Sequence, residues 1–205
     1  KAMDLVRAAV ARAALLEPLR ETEVPVEPRA LVVGAGAAGM TAALSLAGQG
    51  FGVALVEKDK VLGGNLNQLK TSVWGTDLGA YLSGLVKAVN SNPRIEVLTE
   101  STLASTSGYV GNFESTVKTP RGGHPVRHGV TIIATGASEY KPSEYLYGKD
   151  ARVMTQRELE SRLAEGRFSA ASGAVVMIQC VGSRDDRHPY CSRVCCSEAV
   201  KNAIV

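Results

Sequence analysis

An α/β fold built on a parallel sheet and interrupted by a small antiparallel meander is what this sequence predicts, on three observations. Short apolar runs at residues 30–33, 52–57 and 130–134 alternate with helix-periodic segments, and uninterrupted apolar runs mark parallel strands covered on both faces. The turn Gly34-Ala35-Gly36-Ala37-Ala38-Gly39 joins the first of these runs to a helix. Between residues 101 and 128, short runs containing Thr, Val and Phe are broken by Gly108, Gly111, Pro120, Gly122 and Gly123, the pattern of a β-meander.

Residues 3–19 place Leu5, Val6, Ala9, Val10, Ala13 and Leu16 at helical spacing, with Arg7, Arg12 and Arg20 on other faces. Pro25 and Pro28 cannot continue that helix. Residues 1–29 are therefore expected to form an amphipathic helix, packed as a connector on the main domain, and a linker. The strand at 30–33, the glycine turn, a helix over 37–48 and a strand at 52–57 make a β-α-β unit. A helix over 77–91 and a strand at 95–98 follow, and the last leads into the meander (about 95–128). The strand at 130–134 ends in Thr135-Gly136. Beyond it, residues 155–165 read as a helix, 174–180 as another buried strand, and 197 onward as a helix. The expected division is 1–29 helix and linker, 30–150 dinucleotide-binding domain, and 151–205 the start of a second, incomplete domain.

Composition narrows the class. A hydrophobic fraction of 45% and a charged fraction of 21% describe a globular protein with a real core. A net charge of +3 with scattered basic residues gives no stripe for nucleic acid. No apolar run approaches the roughly 18 residues that span a bilayer, and the amino end has no signal-peptide pattern. A cytoplasmic setting is expected. The chain reads as a piece of a longer protein, because it opens on Lys1 without an initiator Met and stops at Val205 inside a helical pattern.

The glycine turn carries the first chemistry. A phosphate approaches the backbone closely only where side chains are absent, and is held by the open amides and dipole of a helix N-terminus. Gly34 permits the sharp exit from the strand, Gly36 the approach of a pyrophosphate, and Gly39 tight seating of the helix on the sheet. Glu57, ending the next strand, stands where a carboxylate accepts hydrogen bonds from a ribose hydroxyl. The order Glu57-Lys58-x-x-x-Leu62-Gly63-Gly64-Asn65 resembles flavoproteins of the glutathione and thioredoxin reductase superfamily, as do Thr135-Gly136 and the position of the meander. One departure is Val61-Leu62, where that superfamily often has Arg before the paired glycines. The resemblance implies a Rossmann-like FAD-binding domain. Its candidate contacts are Gly34, Gly36, Ala37, Ala38, Gly39, Glu57, Lys58, Gly64, Asn65, Leu103, Thr135 and Gly136, with Lys58 equally readable as a surface lysine.

The second chemistry lies in four cysteines, spaced Cys180-x10-Cys191-x3-Cys195-Cys196. Four thiolates at a strand end and a helix start suit an iron–sulfur cluster. They also suit tetrahedral zinc. A redox disulfide is a third reading, weakened by the absence of Cys-x2-Cys, and buried inert cysteines are a fourth, weakened by the clustering.

Further segments bear on that choice: Lys1-Ala2-Met3-Asp4-Leu5-Val6-Arg7, Gly108-Tyr109-Val110-Gly111-Asn112-Phe113, Tyr145-Leu146-Tyr147-Gly148, Gln179-Cys180-Val181-Gly182-Ser183-Arg184 and Pro189-Tyr190-Cys191-Ser192-Arg193-Val194-Cys195-Cys196. With these the chain resembles, over essentially its whole length, the A subunits of CoB–CoM heterodisulfide reductases, especially the long bacterial forms. The resemblance implies FAD, several [4Fe–4S] clusters, and ligation of one cluster near the flavin by Cys180, Cys191, Cys195 and Cys196. It implies electron transfer between FAD and clusters, in some complexes splitting an electron pair at the flavin, with other subunits of the complex and electron-carrier proteins as partners. The loop 179–184 stands where a thioredoxin reductase carries its second glycine-rich loop, so no NAD(P)H site is expected in this segment. A pyridine-nucleotide–disulfide reductase-like flavoenzyme and a non-catalytic assembly module holding structural zinc are the alternatives. No catalytic acid or base stands out.

The remaining candidates are weaker. His124, His128 and His188 are too scattered for a metal site and read as surface or loop residues, while Trp74 and Tyr81 read as packing residues. Arg184 and Arg193 flank the cysteines and could offset their charge, or simply be solvated. In the superfamily a strand and helix returning after the second domain close the flavin site, and Val205 comes too early for them. The cradle is therefore expected to be present with weak hold on FAD.

Overall fold

The computed structural model describes residues 1–17, 21–168, 173–191 and 193–204. Strands β1 (Arg29–Val33), β2 (Gly52–Val56), β3 (Ile95–Leu98) and β7 (Val130–Ile133) form a parallel sheet in the order β3-β2-β1-β7. Val33 pairs with both Val56 and Ile133, so three strands end level and their C-terminal loops open on one rim. Helices α2 (Ala37–Gly48) and α3 (Leu78–Asn90) cover one face. Strands β4 (Thr102–Tyr109), β5 (Asn112–Thr119) and β6 (Gly122–His128) make the antiparallel meander, which covers the other.

This two-sided cover is why the strands are apolar throughout. Val32, Val53 and Leu55 pack with Met40, Ala43, Ala47 and Val89 on the helical side. Their neighbours Leu31, Ala54 and Val56 pack with Val117 and Val126 of the meander. Successive side chains of a strand point to opposite faces, so both alternate sets need an apolar partner. Asp77 starts α3 by accepting from Ala80 N at 3.0 Å. The linker is strapped down by Asn112 Nδ2 donating to Pro25 O (2.7 Å) and Glu27 N donating to Gly111 O (2.9 Å).

Past the sheet, α4 (Gln156–Ala164) opens with a capping box between Thr155 and Glu158. Helix α5 (Cys195–Ile204) begins two residues before its expected start and so carries two of the cysteines.

Several expectations are corrected. Helix α1 (Ala2–Ala14) does not pack on the domain, since none of its residues is buried; residues 18–20, and with them Arg20, lie outside the described residues. Residues 174–180 form no strand and are largely exposed, Val176 at 78%. A parallel strand exists only with neighbours to bond, and none of the described strands pairs with it. Trp74 (90% exposed) and Tyr81 are not packing residues.

His128 is not a surface residue. It is fully buried, stacked on Phe113, with Nε2 2.8 Å from Ser115 Oγ and Nδ1 3.1 Å from Val130 O. A proton on Nδ1 donated to the Val130 carbonyl leaves Nε2 to accept from Ser115. His124 sits against Glu96, which also pairs with Arg29, joining β6, β3 and β1.

This packing sets two expected outcomes. A Cβ on Gly39 would lie 1.8 Å from Gly34 O, so Gly39→Ala is expected to lose about 3 kcal/mol or more in denaturant unfolding. Burial, opposed by the Val130 carbonyl and aided by Arg29, holds His128 below its ordinary value. The unfolded chain then binds this proton more tightly than the native state. Stability is expected to be intact above about pH 6.5 and to fall as the pH drops below it, and thermal melts of His128→Gln should show less of that decline.

Candidate functional site

The level rim of the sheet gathers the nucleotide-binding candidates. Gly34 has φ +102°, and a Cβ there would meet Ala134 O at 2.4 Å, so the turn closes directly on the chain end of β7. Gly36 caps α2 and has nothing within 4 Å of its missing Cβ. That space is open for a ligand. No side chain caps α2 and no acid stands in its first turn, which leaves the amides of Ala37, Ala38 and Gly39 facing the rim with the positive end of the helix.

The paired glycines close the cradle. Gly63 N donates to Ala35 O (2.8 Å), and a Cβ on Gly64 would stand 3.5 Å from Gly36 Cα. Glu57 is buried, with Oε2 accepting from Ala35 N (2.8 Å) and Oε1 from Asp59 N (3.0 Å). Each carboxylate oxygen keeps a lone pair for a further donor. Asn65 Nδ2 donates to Ala137 O (3.1 Å), tying the paired-glycine loop to the loop of Thr135 and Gly136. Thus Gly34, Gly36, Ala37, Ala38, Gly39, Glu57, Gly64, Asn65, Thr135 and Gly136 share one rim. Lys58 is exposed beside Glu57. Leu103 lies within β4 opposite Val117, its side chain packed on the core beneath the sheet.

The cysteines form a separate group. Cys180 turns the chain with φ +65° and its carbonyl accepts from Ser183 N and Arg184 N, each at 3.3 Å. Arg193, with φ +60°, points its N–H at Cys191 Sγ (3.3 Å). Cys195 and Cys196 open α5. Desolvation, and then Cys195, Cys180 and Cys191 in turn, push the Cys196 thiol up. No group of three or more ligating side chains among the described residues is close enough to hold a metal ion. The thiols as placed do not form such a site; only the residue types, four cysteines in one segment, are those a soft metal or cluster takes. Arg184 is exposed in this loop, and its guanidinium adds positive charge there.

Between the two groups lie residues that the sequence did not signal. Glu160 and Lys201, side chains 4% and 8% exposed, pair at 2.7 Å. Burial pushes the Glu160 carboxyl up, but hydrogen bonds from Lys201, Lys70 N and Thr71 N outweigh it and hold it low. A charged residue next to an apolar one in a short amphipathic helix reads from sequence as solvated. Only the packing of α4 on α5 buries it.

The chain is similar to several known proteins. The family model described as pyridine nucleotide-disulphide oxidoreductase matches residues 28–170. The A subunit of the H2:CoB–CoM heterodisulfide, ferredoxin reductase of Methanothermobacter marburgensis is 30% identical over 295 aligned positions, covering 99% of this chain and 45% of that protein. One of the iron–sulfur A subunits of CoB–CoM heterodisulfide reductase from Methanopyrus kandleri is 31% identical over 300 positions, with the same coverage. This chain thus spans less than half the length of these relatives, and, with 205 residues, lacks segments they carry inside the matched region. Among solved structures, L-proline dehydrogenase from P. horikoshii superposes with a TM-score of 0.47 at 26% identity, over 58% of this chain and 25% of that one. With a glycine turn closed on β7, a buried carboxylate at the end of β2 and a family match from residue 28 to residue 170, the chain belongs to the pyridine nucleotide-disulphide oxidoreductase family.

Proposed function

We propose that this chain is the FAD-binding part of an electron-transfer oxidoreductase of the heterodisulfide reductase A type, with FAD on the glycine rim and a [4Fe–4S] cluster on the cysteines. The observation that carries this reading is the meeting of Gly34, Gly36, Glu57 and Gly64 on one rim, with four cysteines in the segment that follows, two of them opening α5. Family membership supports a redox role. The names of the relatives, which specify iron–sulfur and CoB–CoM heterodisulfide, support the finer reading. When bound, FAD exchanges electrons in pairs or singly and the cluster exchanges them singly.

The protein's own part is to bind, orient and balance charge. The amides at the start of α2 and the bare backbone of Gly36 receive the pyrophosphate. Glu57 receives the ribose hydroxyls while its other lone pairs brace Ala35 and Asp59. Asn65, Thr135 and Gly136 line the rim beyond, and Lys58 is assigned to the adenosine side. Cys180, Cys191, Cys195 and Cys196 are the cluster ligands, with the positive start of α5 favouring thiolate. In this reading residues 30–150 are the flavin domain and 151–205 the opening of a second domain. Other subunits of a heterodisulfide reductase-like complex and electron-carrier proteins are the partners, and the setting is cytoplasmic. Among the described residues no helix is long and apolar enough to cross a membrane.

Full-length protein purified without oxygen is expected to contain FAD, iron and sulfide, and to show broad visible absorption that bleaches on reduction. Colourless protein containing zinc overturns the cluster, and reduction of the flavin by NADPH with formation of a cysteine disulfide favours the disulfide-reductase alternative. Cys180→Ala and Cys196→Ala are expected to lose iron and keep FAD. Glu57→Ala is expected to weaken FAD binding by about 1.5–3 kcal/mol, roughly ten- to hundredfold in Kd, as read by flavin fluorescence titration. An unchanged Kd removes Glu57 from the site.

A further inference from the structure

The paired glycines Gly63 and Gly64 both hold left-handed backbone, at φ +119° and +51°. Glycine loses more freedom on folding than any other residue, so two in succession on an open rim need something to hold them. On the inner side Gly63 N donates to Ala35 O, and Gly63 lies alongside Gly36 in an isolated parallel bridge. On the outer side the holding group is Asn67. Its Nδ2 donates to Leu62 O at 3.0 Å and to Gly64 O at 3.3 Å, the carbonyls of the residues on either side of Gly63.

An amide nitrogen carries two N–H donors and its oxygen none, so two carbonyls facing one side chain fix which end of Asn67 turns inward. The fit is close: a Cβ on Gly63 would stand 2.7 Å from Asn67 Nδ2 and 3.0 Å from its Cγ. Gly63 is thus bare on this side to admit the carboxamide, as well as for its φ. A ring closed from residue 67 back to residue 62 fixes the backbone of both glycines, because neither carbonyl is left to swing. Gly64 is set by the same ring against Gly36, its missing Cβ 3.5 Å from Gly36 Cα. The far end of the turn is tied separately, by Asn65 Nδ2 to Ala137 O and by Arg157 Nη1 to Asn65 Oδ1 and Gln68 Oε1. Asn67 is itself exposed and stands outside the proposed FAD contacts.

We propose that Asn67 is the positioning residue of the nucleotide cradle: its carboxamide holds the paired-glycine turn closed against Gly36 before any nucleotide arrives. The inference rests on the reading of the rim as an FAD site given above. A ligand binds more weakly in proportion to the time its site is not formed, and a site ordered in advance is spared that loss on binding. Asn67 therefore acts on the affinity of the rim through the glycines, without touching the nucleotide.

The test uses full-length protein freed of bound flavin, as wild type, Asn67→Leu and Asn67→Ala. The leucine keeps the volume of the side chain without its donors. Hydrogen exchange of the backbone over residues 61–66 is followed by mass spectrometry, melting is measured, and FAD is then titrated by flavin fluorescence. Both variants are expected to melt as wild type does, because the side chain is exposed. Exchange over 61–66 is expected to quicken about tenfold and FAD to bind roughly tenfold more weakly, the effect of releasing two surface hydrogen bonds. Should Asn67→Leu fail to fit the turn, Asn67→Ala decides. Wild-type FAD affinity in variants whose turn exchanges faster overturns the positioning role and leaves the functional reading intact. Unchanged exchange at 61–66 overturns it too, since the turn is then held without Asn67. Earlier melting with faster exchange throughout the sheet also overturns it, showing a merely structural role. Wild-type protein that takes up no FAD overturns the functional reading first, and the inference with it.

Discussion

The contact of backbone on backbone at Gly34 is the constraint on which the rest depends. Its own missing Cβ points at the carbonyl of Ala134, and that of Gly39 points at the carbonyl of Gly34. With no side chain between them, β1, β7 and α2 meet at one point, and the first turn of α2 sits directly above the sheet rim. Everything offered to a nucleotide follows from that meeting: uncapped amides, the bare surface at Gly36, and a carboxylate held level with them at the end of β2. A single methyl group would wedge the three elements apart. The glycines here serve close approach as much as backbone freedom.

The same rim needs a rigid floor. The sheet is stiff because both faces are filled, by Met40, Ala43 and Val89 on one side and by Val117 and Val126 on the other. The meander is therefore a second wall of the core. His128 pins this wall to the sheet by taking Ser115 from the meander and the Val130 carbonyl from β7. The linker at Pro25 to Glu27 holds its far turn. A neutral buried imidazole is a pH-sensitive choice for a pin, since its protonation places a charge in the core.

Beyond residue 150 the forces change character. The cysteine segment is mostly irregular and exposed, and two of its residues, Cys180 and Arg193, hold positive φ angles that ordinary side chains seldom adopt. Gly182 in this loop lies under the ring of Tyr140, which follows the Thr135-Gly136 turn. Apolar burial is thin there, and the segment is anchored instead by polar side chains: the Glu160–Lys201 pair, the bond of Asn202 to Gln156, and Arg157 on Asn65. Directional contacts can define a position where a small apolar interface cannot.

The glycine turn, Glu57, the paired glycines and the alternation of apolar runs with helices were all legible in the sequence, because each is a local requirement. A phosphate cradle needs missing side chains at set spacings, and a parallel strand covered twice needs apolar residues throughout. The helices expected over 77–91 and 155–165 fell within a residue of those observed, whose starts the structure shows to be fixed locally by Asp77 and Thr155. Other features depended on partners distant in the chain. Whether residues 174–180 became a strand turned on neighbours to pair with, and whether α1 packed turned on a surface to receive it. Burial of His128, Glu160 and Lys201 depended on which elements closed over them. Local chemistry determined the cradle and the thiols; only tertiary packing decided how the two are held relative to each other, because a buried polar contact exists only once both of its sides have been brought together.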